Sequence, residues 1–137
     1  MTESAGGNLI VIPVGEWTGL AKVLFVSTYF ADVVLIKLFR LKIASTQRVD
    51  PTDFHGPFDL YYTSVEPIRR RRWKKIGTEE VSASEFALTK RTSGGEIWIG
   101  DQHIGPASDM DLATLPKMQI FGFKLIEKYA DRMVAAS

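Results

Sequence analysis

The first third of the chain most tightly limits what it can fold into. Residues 8–14, Asn-Leu-Ile-Val-Ile-Pro-Val, are β-branched, apolar and bounded by Gly7 and Gly15, which suits a strand and disfavours a helix. Pro13 lies near the end of that run, where a missing amide is tolerated at an edge or bulge. Gly15-Glu16 supplies a tight turn, and residues 17–28 return as a second strand. Within it, Gly19 marks a bulge or a close backbone approach. Residues 31–43 form a third run, with Val33, Leu35, Phe39 and Leu41 on one parity and Val34, Ile36, Leu38, Arg40 and Lys42 on the other. Such a strand is covered on both faces along its first half and reaches water along its second. A helix over 20–38 competes, but the β-branched and aromatic enrichment favours strands.

The pattern breaks over residues 44–57, a polar stretch rich in turn formers and long for a structureless connection. Residues 58–65 resume as a strand, Pro67 ends regular pairing, and residues 69–77 read as a charged strand. After a polar connection at 79–85, residues 86–91, 96–99 and 102–104 form a meander. Its turns are Ser93-Gly94-Gly95 and Gly100-Asp101, the latter with glycine where a type II′ hairpin needs it. Residues 107–115 are polar and acidic, and 118–121 are apolar. From Gly122 onward the spacing predicts a helix over 123–134, with Phe123, Ile126, Tyr129, Ala130 and Met133 on one face. The expected class is α+β: a mostly antiparallel curved sheet or small β-barrel of seven to eight short strands with a C-terminal helix. Residues 1–7 read as a flexible lead-in and 8–137 as a single compact β-rich domain.

At 137 residues the chain can bury a sizeable core without a staple. It has no cysteine, which removes disulfides, thiolate nucleophiles and thiolate zinc sites. Residues 1–7 lack the basic start and apolar core of a signal peptide. The longest uncharged part of the apolar region, 23–31, is far short of the ~20 residues a membrane helix needs. A soluble, cytoplasmic protein without a membrane partner is the expectation.

Charge is segregated. Six of the seventeen basic residues fall within 69–75, Arg-Arg-Arg-Arg-Trp-Lys-Lys, leaving eleven against sixteen acidic residues elsewhere. A block of this kind, Arg69, Arg70, Arg71 and Arg72 followed by Trp73, Lys74 and Lys75, has three readings. It is a solvated sheet edge that discourages association, an anchor for a protein partner, or a phosphate-binding surface with Trp73 stacking on a base. Near-neutral total charge and acidic flanks weigh against nucleic acid. An inward-packed Trp73 accords with the habits of a tryptophan set among charges.

Chemistry is sparse. His55 and His103 are the two acid–base candidates of a metal-independent ribonuclease, yet they occupy unrelated segments, and no Gly-x-Ser-x-Gly elbow exists. Asp109 and Asp111, with Asp101 nearby, lack the glycine and glutamate of a calcium loop. Gly94-Gly95 is followed by no Lys-Ser or Lys-Thr, and there is no dinucleotide fingerprint. No catalytic residue, metal or cofactor is expected.

Two patches carry a resemblance. Gly7-Asn8-Leu9-Ile10-Val11-Ile12-Pro13-Val14, followed by Gly19-Leu20-Ala21-Lys22-Val23-Leu24, resembles the opening of immunity protein family 26 of bacterial polymorphic toxin and contact-dependent growth inhibition systems. Members of that family begin with a Gly-Asp turn, an apolar strand ending near Ile-Pro-Leu and a Tyr-Gly-Arg-Val strand. Here Asn8 replaces the aspartate, Thr18 stands before Gly19, and Ala21-Lys22 occupies the arginine region. Arg72-Trp73-Lys74-Lys75-Ile76-Gly77 is similar to the family's Arg-Trp-x-x-Ile-Gly. The resemblance implies a cytosolic, non-catalytic protein that binds and silences a cognate toxin by covering its active site or substrate surface. It further implies that Trp73 and Gly77 are structural, which leaves Arg69, Arg70, Arg71 and Arg72 as contacts. If the toxin is a nuclease, its basic channel would meet Glu79, Glu80, Glu85, Asp101, Asp109 and Asp111. The alternative is a small β domain that binds nucleic acid through residues 69–75.

Overall fold

The computed structural model describes residues 6–136; the first five residues of the expected lead-in lie outside them. The β-branched opening forms β1 (Asn8–Val14) and β2 (Trp17–Val26), an antiparallel hairpin, and β3 (Val33–Ala44) continues the meander. Next come β4 (Phe58–Ser64), α1 (Glu66–Arg69), β5 (Lys74–Thr78), α2 (Ala83–Phe86), β6 (Arg91–Ser93), β7 (Glu96–Ile99) and β8 (Gln102–Pro106). The chain ends with α3 (Asp109–Thr114), β9 (Ile120–Phe121) and α4 (Phe123–Asp131). A six-stranded sheet runs in the order β5-β1-β2-β3-β4-β9, and β6-β7-β8 form a separate three-stranded sheet. Among these strands every pairing is antiparallel except that of β4 with β9, and isolated parallel bridges join Lys42 to Ala135 and Thr92 to Lys117. The class is α+β as expected, but the sheet stays open rather than closing into a barrel, and the described residues form nine strands.

Strand parity decides both faces of the large sheet. Ile10, Ile12, Ala21, Val23, Val34, Ile36 and Leu38 point to one side and meet Trp73, Ile126 and Ala130. The helix face anticipated on α4 docks here. On the other side Leu9, Leu20, Phe39 and Ile43 are covered by Phe54 from the 45–57 connection, while Leu24, Val33, Leu35 and Tyr62 lie under Phe30, Leu88 and Met118. Pro13 is beyond the reach of β5, which pairs only with residues 8–11 of β1, so its missing amide leaves no gap in that ladder.

Three expectations change. Residues 69–73 are not strand: the arginines leave α1 through a turn in which Arg71 takes φ 57, and pairing starts only at Lys74. Residues 86–89, expected to begin the meander's first strand at 86–91, instead belong to helical turns over 83–89, and that strand starts only at Arg91. Ser82 caps α2 by accepting from the Glu85 amide while the Glu85 carboxylate accepts from the Ser82 amide. A matching Ser108–Asp111 box starts α3 inside the stretch read as acidic loop.

A candidate interaction surface

The arginine block is largely neutralised where it stands. Arg69 pairs with Asp32 and Glu66, Arg70 with Glu66, and Arg72 grips Glu127 through Nε (2.7 Å) and Nη2 (2.8 Å). Between them Trp73 turns fully inward, its indole Nε1–H donating to Glu127 Oε2 at 3.0 Å. The exposed pairs add little stability, but each sets a carboxylate beside an arginine and lowers the local positive potential. Arg71, Lys74 and Lys75 form no ion pair among the described residues. They line a cleft of about 380 Å³ with Asn8 and Ile68. Gly77 lies opposite Leu9, where an added Cβ would come within 3.4 Å of Pro51 Cγ.

The acidic candidates divide. Glu79 and Glu85 converge on the buried Lys22 ammonium at 2.7 and 2.9 Å, Glu80 adds its carbonyl at 3.0 Å, and Glu85 also holds Lys37 at 2.9 Å. Burial works against the Lys22 charge, but hydrogen bonds to Glu79 and Glu85 outweigh it and raise its pKa. Burial likewise opposes ionisation of Glu85. Lys37, the Ser82 amide and Lys22 more than reverse that and bring its carboxyl to about 2. Asp101 accepts from Ser27 Oγ, Thr28 N and Thr28 Oγ1 at 2.5, 2.6 and 2.8 Å. Asp111 is tied into its capping box, while Asp109 and the Glu80 side chain stand in solvent. Glu85 and Asp101 therefore serve the interior, and the six do not make one acidic face.

Sequence reasoning missed an aromatic ridge. In the small sheet, Arg91, Trp98 and His103 are direct cross-strand partners on β6, β7 and β8. Exposure rises along this row, from buried Arg91 through half-buried Trp98 to exposed His103. Tyr29, 65 % exposed, lies on the Trp98 ring at a centroid distance of 4.6 Å, with Phe30 edge-on at 5.2 Å and His103 at 5.1 Å. Glu96 stands 3.4 Å from His103 Nε2. The loop between β2 and β3 presents these rings because Asp101 grips Ser27 and Thr28, while Ser27 Oγ accepts from the Phe30 amide at 2.8 Å. The signal was legible: two adjacent aromatics, Tyr29-Phe30, inside the turn-forming run Ser27-Thr28…Ala31-Asp32.

His55 sits in the 45–57 connection with its backbone amide donating to the Asp53 carbonyl, and among the described residues no hydrogen bond or ring contact joins it to His103. Among the described residues no group of three or more His, Cys, Asp or Glu is placed to hold a metal ion, and no helix is long and apolar enough to cross a membrane. Comparison with protein-family models, with curated proteins and with solved structures finds no match to the chain.

Proposed function

We propose that the protein works by binding another protein, as an immunity protein that captures and silences a cognate bacterial toxin of nuclease type. The observation that carries this reading is the Tyr29–Trp98–His103 ridge, a large aromatic surface held half in water by a dedicated carboxylate. Tyrosine and tryptophan in rigid settings are the side chains that dominate binding energy at protein interfaces. The resemblance of residues 7–24 and 72–77 to immunity protein family 26 points the same way. Glu96, beside His103, would supply negative charge at the ridge toward a basic substrate channel.

The test is capture of partners from the native cell by the tagged protein, repeated with nuclease treatment and with Tyr29→Ala. One stoichiometric polypeptide that survives nuclease and about half-molar salt, and is lost with Tyr29→Ala, is the expected result. Nucleic acid that washes off in salt would overturn it. Such a result would assign function to Arg71, Lys74 and Lys75 at their cleft.

A further inference from the structure

Helix α1 leaves an arginine in a conformation that suits glycine. Arg70 caps the helix, and Arg71 after it takes φ 57. Chains often turn left-handed just past a helix end, but glycine is favoured there because a Cβ crowds the following carbonyl. Apart from glycines, only Asp32 and Arg71 have positive φ among the described residues. Aspartate tolerates this region through its short polar side chain, whereas arginine does not share that tolerance. Strain of this kind concentrates at ligand clamps and switch regions.

Arg71 lines the cleft of about 380 Å³ with Lys74 and Lys75, beside Asn8, Ile68 and Trp73. All three cations are exposed, so a solute can reach them. No acidic side chain lines the cleft. The carboxylates of this region, Asp32, Glu66 and Glu127, are instead taken by Arg69, Arg70 and Arg72. Three positive charges gathered round one cleft create a potential that favours a compact anion of two or more charges. A carboxylate carries one charge, whereas a phosphate monoester carries about two near neutral pH. Arginine's planar fork and lysine's point charge both suit phosphate oxygens. The volume falls within the small-ligand range. A long nucleic-acid backbone fits less well, because Glu66 and Glu127 flank the same arginine run. We propose that this cleft binds a compact phosphate group of two or more charges, carried by a free diphosphate or by a nucleotide-sized molecule. Arg71 holds two of its oxygens, and Lys74 and Lys75 neutralise the rest. The site shares no residue with the aromatic ridge and stands or falls independently of partner binding there.

Isothermal titration calorimetry of the full chain with sodium pyrophosphate is the test, with sodium sulfate as the ionic control. ADP and a short single-stranded oligonucleotide form two further arms. Pyrophosphate is expected to bind about tenfold or more tightly than sulfate. ADP that binds at least as tightly assigns the phosphate to a nucleotide-sized molecule, and weaker ADP binding assigns it to the free diphosphate. Arg71→Gly removes strain and cation together. Its thermal midpoint should match or exceed that of the wild type while pyrophosphate affinity falls about tenfold. The exposed double variant Lys74→Gln/Lys75→Gln should lose at least as much affinity. The proposal is overturned if pyrophosphate binds the wild type no more tightly than sulfate, or if Arg71→Gly retains full affinity. It is also overturned if the oligonucleotide binds far more tightly than pyrophosphate with a steep salt dependence, which marks a nucleic-acid surface instead.

Discussion

Lys22 and Lys37 stand directly opposite each other on β2 and β3, and one carboxylate, that of Glu85, takes both ammonium groups at 2.9 Å. Like charges facing across a sheet destabilise it, so Glu85 reverses the sign of that contact. Lys22 is 1 % exposed and Glu85 13 %. Removing one member of a buried ionic group leaves the others uncompensated, at about 3–5 kcal/mol. Glu85→Gln is therefore expected to cost about 3 kcal/mol in chemical denaturation at neutral pH. A loss below about 0.5 kcal/mol, the range of an ordinary surface change, would show that the two lysines are satisfied without it.

The same carboxylate sets an acid limit. Its pKa is lowered from 4.5 to about 2 in the fold. A depressed carboxyl contributes stability that is fully present above the unfolded value and is lost as pH falls through the folded one. Between pH 4.5 and 2 the wild type should lose more stability than Glu85→Gln, and the two curves should converge near pH 2. Asp101 and Glu127, also held below the usual carboxylate range, affect both proteins alike, so the difference curve isolates Glu85. Denaturation midpoints measured across that window provide the check.

Helix α4 approaches the sheet at a glycine. A Cβ on Gly19 would come within 2.8 Å of Ala130 Cβ, and the register of β2 against β3 shifts just beyond it. Gly19→Ala should push the helix outward and cost about 1–3 kcal/mol, as overpacking does. Ala130→Gly in the same chain removes the opposing methyl and should recover part of that loss. Strict additivity of the two changes would mean that they do not touch.

Trp73 is buried in the same core as Ala130. Trp73→Ala should cost about 3–5 kcal/mol through the cavity it leaves. Trp73→Phe retains the ring volume in part and removes the indole donor to Glu127, so a smaller loss of about 1–3 kcal/mol is expected. Equal losses for the two variants in urea denaturation would argue that the retained ring volume contributes nothing and that the loss lies in the indole and its bond to Glu127.

Local periodicity revealed the large sheet because its signal is local. The parity split of residues 33–42 separates the two core faces, Gly19 marks both a register shift and a close approach, and the α4 face reads directly from its spacing. Gly100 takes φ 59 while Asp101 stays out of the positive-φ region, as a type II′ turn needs. The misread stretches fail for identifiable reasons. Ser82-x-x-Glu85 and Ser108-x-x-Asp111 are helix starts only a turn or two long, too brief for periodicity to show. Charge alone could not indicate that Glu85 and Asp101 face inward, because their partners lie 63 and 74 residues away in sequence.

Asp101 separates positioning from contact. If its role is to hold the β2–β3 loop, Asp101→Asn retains the side-chain size but weakens the charge-assisted bonds from Ser27 and Thr28. A stability loss of about 1–2 kcal/mol is expected. Amide hydrogen exchange at Tyr29 and Phe30 should accelerate, because the loop would open without global unfolding. Partner capture should then fall together with that exchange, and substituting the freely exposed Asp109 should leave exchange at Tyr29 unchanged. If capture falls while Tyr29 and Phe30 remain as protected as in the wild type, Asp101 touches the partner directly and the loop needs no such anchor.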